Sequence, residues 1–251
     1  MKIASYIFVL PIALFSVTLG IFLYYCYEVA LSATYIVPAT VSPFPAGERD
    51  VALTFDDGPY GQPTEKLLTI LKNRHVPATF FIVGKNVEKY PLEVRQEIAD
   101  GNLIANHTYN HTHVALLGAA SFKQNIAHAD AVIFKATGLH PRIFRAPYGQ
   151  ISPTMLAVLS QEGYALADWT VDTNDWNNDH TTSQGVIRVV TLGVRSDGIV
   201  LLHDGRDTQL GYPRDNMLQA LPSIITHLKN KGYTFVTVDK ILHQQPYFPV
   251  N

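Results

Sequence analysis

Val51-Ala52-Leu53-Thr54-Phe55-Asp56-Asp57-Gly58-Pro59 is a short apolar, β-branched run that stops on two adjacent carboxylates and a turn-forming pair. Val, Thr and Phe fit a half-buried strand, and Asp, Gly and Pro end one. The same plan recurs further along. Leu103-Ile104-Ala105 leads to His107 and His111, Ile143-Phe144 to Arg145, the 165–171 run to Asp172, and Ile199-Val200-Leu201-Leu202 to His203. Polar residues remote in sequence therefore sit at the C-terminal ends of separate candidate strands.

Between Val51 and Phe235 such runs alternate with segments of helical period. Candidate strands cover 51–55, 78–83, 103–106, 142–145, 165–171, 199–203 and 233–238, and candidate helices 64–74, 91–100, 121–137, 152–162, 182–194 and 214–231. Gly101, Gly138, Gly163 and Gly232 stand where these helices should stop. Met217, Leu218, Leu221, Ile224, Ile225 and Leu228 form one apolar stripe, read as core, with Pro222 a candidate kink. Strict alternation argues for an α/β fold with a parallel sheet and crossover helices. About seven units favour a closed or nearly closed barrel, on which strand C-termini converge on one catalytic face.

The 251 residues, 47% hydrophobic, suffice for one large core. A net charge of -2 leaves no basic field for a nucleic-acid backbone. Cys26 is the only cysteine, so disulfides and thiolate metal sites are excluded, and any metal must be held by imidazole and carboxylate. Ile3 to Tyr25 is uncharged and long enough to cross a hydrocarbon core of ~30 Å. Residues 1–36 are accordingly read as an N-terminal transmembrane helix acting as a signal anchor. Lys2 before the span and Glu28 after it point the domain outward; small residues at Ala30, Ser32 and Ala33 keep cleavage and secretion as the alternative. Residues 37–49, with Pro38, Pro43, Pro45 and Gly47, read as an extended linker, 50–243 as the catalytic domain and 244–251 as a C-terminal tail.

Asp57, His107 and His111 supply a carboxylate and two imidazoles, a set suited to Zn²⁺ or a neighbouring first-row ion. Taken alone, two histidines four apart are more often a solvated turn, and Asp-Asp-Gly-Pro an ordinary turn; if a helical turn began at His107, both rings would share a side. His203 ends a buried run and offers a general acid. His113 lies close enough to compete as a ligand but reads as a surface residue, and His75, His128, His140, His180, His227 and His243 match no site spacing and read as surface or helix-end residues.

The segments Thr54-Phe55-Asp56-Asp57-Gly58-Pro59, His107-Thr108-Tyr109-Asn110-His111, Arg145-Ala146-Pro147-Tyr148-Gly149, Asp172-Thr173-Asn174-Asp175-Trp176 and Leu201-Leu202-His203-Asp204, in this order, resemble the five motifs of the polysaccharide deacetylases, carbohydrate esterase family 4, with its NodB homology domain. The resemblance spans roughly residues 48 to 243. It implies a distorted (β/α)7 barrel and a metal held by Asp57, His107 and His111, most simply Zn²⁺, with Co²⁺, Mn²⁺ or Ni²⁺ as substitutes. It further implies that Asp56 takes a proton from the attacking water, that Arg145 keeps Asp56 ionised, and that Asp175 supports His203. Asp-Trp occurs twice; the spacing from Asp172 assigns the functional pair to 175 and 176 rather than 168 and 169. Trp176 would wall the groove and, with Leu201, shape a pocket for the acetyl methyl, while the Tyr148 backbone N–H would face the oxyanion.

The expected activity is metal-dependent hydrolytic removal of N-acetyl groups from N-acetylglucosamine units of a peptidoglycan or chitin-like glycan, releasing acetate. Two rivals stand beside it: an esterase of O-acetylated xylan-type glycans, and a glycan-binding protein without catalysis.

Overall fold

The computed structural model describes residues 49–177, 181–205 and 214–250. Its sheet grows from β1 (Asp50–Asp56), buried along almost its whole length, as a strand covered on both faces must be. Alternate side chains separate two interiors. Val51, Leu53 and Phe55 enter the layer between sheet and helices, while Ala52 enters a second cluster on the inner face. With a side-chain period of two, Thr54 and Asp56 share that inner face. The rule holds in the neighbours: β2 (Thr79–Ile82) sends Phe80 and Ile82 outward and Phe81 inward, and β3 (Leu103–Asn106) sends Ile104 outward and Leu103 and Ala105 inward.

Strand order is β5 (Ala165–Leu166), β4 (Ile143–Phe144), β3, β2, β1, β7 (Gly198–His203), β6 (Val171–Asp172), with β8 (Thr234–Phe235) paired to the start of β1. Every pairing is parallel. The crossovers carry helices α1 (Gln62–Arg74), α2 (Gly84–Lys89), α3 (Pro91–Ala99), α4 (Ala119–Thr137), α5 (Pro153–Glu162), α6 (Ser183–Gly193) and α7 (Asp215–Asn230). The parallel sheet forms a half-barrel, consistent with a distorted (β/α) barrel. Helix α8 (Val238–Leu242) contributes Val238 and Ile241 to the inner cluster and so plugs one end.

The run 165–171, expected to be one strand, is two. Ala167 N–H still bonds Phe144 on the β4 side, and Thr170 N–H already bonds Ile199 on the β7 side. The chain therefore crosses between the two ends of the strand path through Asp168 and Trp169. Helix α2 was not legible because Gly84-Lys85-Asn86-Val87-Glu88-Lys89 has a single apolar residue and no stripe. The stripe on α7 packs as expected: Met217, Leu221, Ile224, Ile225 and Leu228 are buried, Leu218 partly so, and the helix continues through Pro222. Gly138 and Gly163 are left-handed C-caps, and Gly101 and Gly232 follow theirs with positive φ.

Residues 244–250, read as a tail, are tied to the domain: Arg142 N–H bonds Pro246, Phe248 N–H bonds His140, and Tyr247 packs against both apolar clusters. No described helix is long and apolar enough to cross a membrane. The expected span 1–36, Cys26, the linker before Arg49 and His180 lie outside the described residues.

Candidate active site

The inner row of β1 ends at Asp56, and the backbone then turns into the left-handed region at Asp57, φ 73°, a conformation Asp tolerates better than most residues. The turn is held from both sides. Asn86 Nδ2 of α2 donates to the Asp57 carbonyl at 2.7 Å, and Val83 N–H donates to Gly58 O at 3.0 Å. A Cβ on Gly58 would stand 2.4 Å from the Asp204 carboxylate, and one on Gly205 2.1 Å from Asp57 O. Only glycine permits this approach.

His107 and His111 leave β3 on a loop, not on the helical turn considered from sequence. Asn106 Oδ1 accepts from Thr108 N–H at 2.8 Å and Thr108 Oγ1 from His111 N–H at 3.0 Å. Thr108 and His111 take positive φ, 70° and 52°. This folded loop, rather than a spacing of four on a helix, brings the rings to 5.0 Å between centroids. His111 Nε2 lies 3.0 Å and His107 Nε2 3.5 Å from Asp57 Oδ1. His107 Nδ1 is 2.9 Å from the Arg145 carbonyl, which only accepts, so Nδ1 carries the hydrogen and Nε2 presents its lone pair inward.

One carboxylate oxygen and one nitrogen from each imidazole fall within 4.8 Å of one another, all buried. Asp57 Oδ1 is buried with no aligned hydrogen-bond donor, so acceptors converge on a point that calls for a cation. The donor set fits a small divalent ion of the zinc type. Burial alone would push the Asp57 carboxyl up, but whenever the imidazoles of His107 and His111 turn an N–H to it instead of a metal-facing lone pair, their hydrogen bonds and the His111 charge hold it well below the usual carboxylate range.

Beside this cluster, Arg145 is 1% exposed. Its Nη1 donates to Asp56 Oδ1 at 2.7 Å and to Thr54 Oγ1 at 2.8 Å. Nε and Nη2 donate to the carbonyls of Ala167 and Asp168, in the stretch between β5 and β6, and the guanidinium lies 3.8 Å over the Phe81 ring. Arg145 thus binds that crossing segment and fixes the orientation of Asp56 at once. Asp56 Oδ2 is 3.8 Å from His107 Nε2.

On β7, alternation puts Ile199, Leu201 and His203 on the inner face, whereas Val200 and Leu202 pack outward. His203 Nδ1 pairs with Asp175 Oδ1 at 2.8 Å, and Asp175 Oδ2 accepts the His203 backbone N–H at 2.9 Å. Thr173 Oγ1 steadies Asp175 at 3.0 Å. Burial disfavours the imidazolium, but the Asp175 charge and hydrogen bond, with the charges of Asp57 and Asp56, outweigh it and push His203 up to about 9. A protonated imidazole is therefore ready at neutral pH, with Nε2 left to serve a reacting group.

Asp56, Asp57, His107, His111, Tyr148, Trp176, Leu201 and His203 all line one cavity of about 460 Å³, with Arg145 and Asp175 directly behind it. Tyr148 sits at φ 60°, its ring stacked on exposed His113 at 3.9 Å and edge-on to His111 at 4.8 Å. His113 is therefore a packing partner of the wall, with its Nδ1 toward Gln150. Sequence reasoning passed over two lining residues, Trp169 and Arg214. Trp169 was taken as part of a continuous strand; the break after Leu166 puts it on the crossing segment, where a Cβ at Gly149 would touch its ring at 2.6 Å. The repeated Asp-Trp was the available signal. Arg214 directly precedes α7 and had none.

A sequence profile described as polysaccharide deacetylase matches residues 45–167. The chain is 36% identical over 194 residues to a peptidoglycan-N-acetylglucosamine deacetylase of Bacillus cereus, covering 77% of this chain and 68% of that protein. It is 35% identical over 198 residues to a chitooligosaccharide deacetylase of a Bradyrhizobium species, covering 75% and 88%. A crystal structure of a peptidoglycan N-acetylglucosamine deacetylase in complex with 4-naphthalen-1-yl-N-oxidanyl-benzamide superposes with a TM-score of 0.75 at 31% identity, covering 80% of this chain and 92% of that one.

Proposed function

This chain belongs to the polysaccharide deacetylase family, and from that membership and the geometry of its cavity we propose that it hydrolyses the N-acetyl groups of N-acetylglucosamine units in a glycan, releasing acetate and leaving a free amine. The observation that carries the reading is the meeting of Asp57, His107 and His111 in a cavity that also receives His203 backed by Asp175. Relatives named for peptidoglycan and for chitooligosaccharide support an N-acetylated glycan as the substrate class, with peptidoglycan first.

Asp57, His107 and His111 would hold the divalent ion, zinc by donor type; when bound, such an ion polarises the acyl oxygen and lowers the pKa of water. Asp56 accepts the proton of the attacking water as oxygen adds to the acyl carbon, and Arg145 holds that carboxylate in place through its 2.7 Å bond to Oδ1. As the carbon–nitrogen bond breaks, His203 delivers a proton to the departing amine. Asp175 fixes the ring and its charge. The Tyr148 backbone N–H faces the oxyanion, and Trp176 and Leu201 wall the acetyl pocket. The sheet is read as a distorted (β/α)7 barrel, and the uncharged stretch from Ile3 to Tyr25 as an anchor that places the domain outside the membrane, with cleavage and secretion as the other outcome.

The test is acetate release by the purified protein from peptidoglycan strands, chitooligosaccharides and O-acetylated xylan, before and after chelation and with Zn²⁺ restored. Release from the N-acetylated glycans, lost on chelation and regained with metal, is expected. Release from xylan alone would make the protein an O-acetyl esterase, and glycan binding without acetate would make it a non-catalytic binder.

A further inference from the structure

Arg214 is 1% exposed and lines the same cavity as His203 and Asp57. Its Nη2 donates to the Gly205 carbonyl, but Nη1, equally buried, has no hydrogen-bond partner among the described residues. Other cations of the site are matched: Arg145 has Asp56 at 2.7 Å, and His203 has Asp175 at 2.8 Å. Among the described residues no carboxylate forms an ion pair with Arg214. Asp204, whose charge acts on it at longer range, accepts from Thr64 Oγ1 at 2.6 Å through Oδ2, and its buried Oδ1 makes no hydrogen bond to Arg214.

A guanidinium cannot discharge itself by losing a proton, and a buried unpaired cation is costly. Among the described residues none supplies that acceptor, and a group that fills the cavity can. A carboxylate is the acceptor that gains most, because its bonds to guanidinium are charge-assisted and match the planar donor edge. The reacting N-acetylglucosamine unit carries no anion and acetate forms only after its acyl carbon is attacked, so a carboxylate present when the substrate binds belongs to the sugar beside it. We propose that Arg214 is a substrate-binding residue that takes a sugar carboxylate adjacent to the unit being deacetylated, so that the site favours a glycan carrying a free lactyl acid over neutral chitooligosaccharide. This rests on the deacetylation proposed above.

Two readouts on the full-length protein test it. Substrates are the disaccharide of N-acetylglucosamine and N-acetylmuramic acid with its lactyl carboxylate free, the same disaccharide as its methylamide, and neutral chitobiose. The wild-type KM for the free acid is expected to lie about tenfold or more below that for the methylamide, the worth of a hydrogen bond to a charged group. Arg214→Met should erase that ratio, and Arg214→Lys should keep part of it. Trp169 and Trp176 are the only tryptophans in the chain and both line the cavity, so quenching of their fluorescence gives the same comparison as binding, without turnover. Equal affinity of wild type for acid and methylamide overturns the proposal, as does a ratio that persists in Arg214→Met. Should the variants fail to fold, the wild-type ratio alone decides. Absence of acetate from every substrate would count against the deacetylase reading, whereas acetate released with no preference for the acid counts only against Arg214.

Discussion

Replacing Asp175 by Asn tests how the fold prepares the proton donor. The wild-type carboxylate accepts twice from one residue, the imidazole Nδ1–H at 2.8 Å and the backbone N–H of His203 at 2.9 Å, and accepts from Thr173 Oγ1 as well. An amide offers one acceptor oxygen, so one of these donors would face an NH₂ group, and the negative charge is gone. With Asp175 removed, burial, already the largest single influence on His203 and acting against the charged ring, is opposed only by the smaller effects of the Asp57 and Asp56 charges. The pKa should fall from about 9 to at or below its ordinary value of 6.5, a change of about 3 kcal/mol in the balance between protonation states. At pH 7.5 nearly all His203 carries its proton in the wild type, and about a tenth or less would in Asp175→Asn. Activity near neutrality should drop at least about tenfold, and the alkaline limb of kcat/KM should move to lower pH.

The stability consequence has a definite sign. A histidine raised on folding contributes fully below its unfolded value of about 6.5, and the contribution is lost as pH rises through about 9. Wild type should therefore weaken across that window, and Asp175→Asn should not. NMR titration of the His203 imidazole in metal-free protein measures the shift directly, with urea unfolding at the two ends of the window as the check. A variant imidazole that still titrates near pH 9 would refute the assignment of that pKa to Asp175.

Asp56→Asn should keep bound metal and lose turnover by about 10²-fold or more, since a positioned base contributes that much, while His107→Ala should lose both; metal analysis beside acetate assay reports the two, and the reverse pattern would exchange the roles. Glu97 is fully buried on α3, with neither carboxylate oxygen hydrogen-bonded, and burial raises it well above the ordinary carboxyl range. Its neutral form suits the fold, so its contribution is present below about pH 4.5 and lost as pH rises. Glu97→Gln should therefore stabilise the protein by about 1–3 kcal/mol at pH 8 and by little at pH 4, and equal unfolding midpoints of the two proteins at pH 8 would contradict this.

Local pattern was enough to read the alternation of strands and helices, α2, α8 and the division of 165–171 excepted, and to place Asp56 and His203 at strand ends. Val51 to Phe55 and Ile199 to Leu202 read as near-continuous apolar runs that end on a polar residue, because both sides of a parallel sheet are covered until the strand emerges. The stripe on α7 and the glycine stops were legible for the same local reason. Other features were settled only by contacts between distant segments. The run from Ala165 to Asp172 reads as one strand, yet hydrogen bonds to Phe144 at one end and Ile199 at the other divide it, and this exposes Trp169 to the cavity. His107 and His111 meet through left-handed residues and side-chain staples, which leave no periodic trace in sequence. Arg145 could be named from its motif, but its bonds to the Ala167 and Asp168 carbonyls depend on where the chain crosses between β5 and β6. Arg214 had no local signature at all. Short-range periodicity records which face of an element is dry, whereas pKa values, metal-ligand distances and unpaired buried donors are set by groups that only the folded chain brings within a few ångströms of one another.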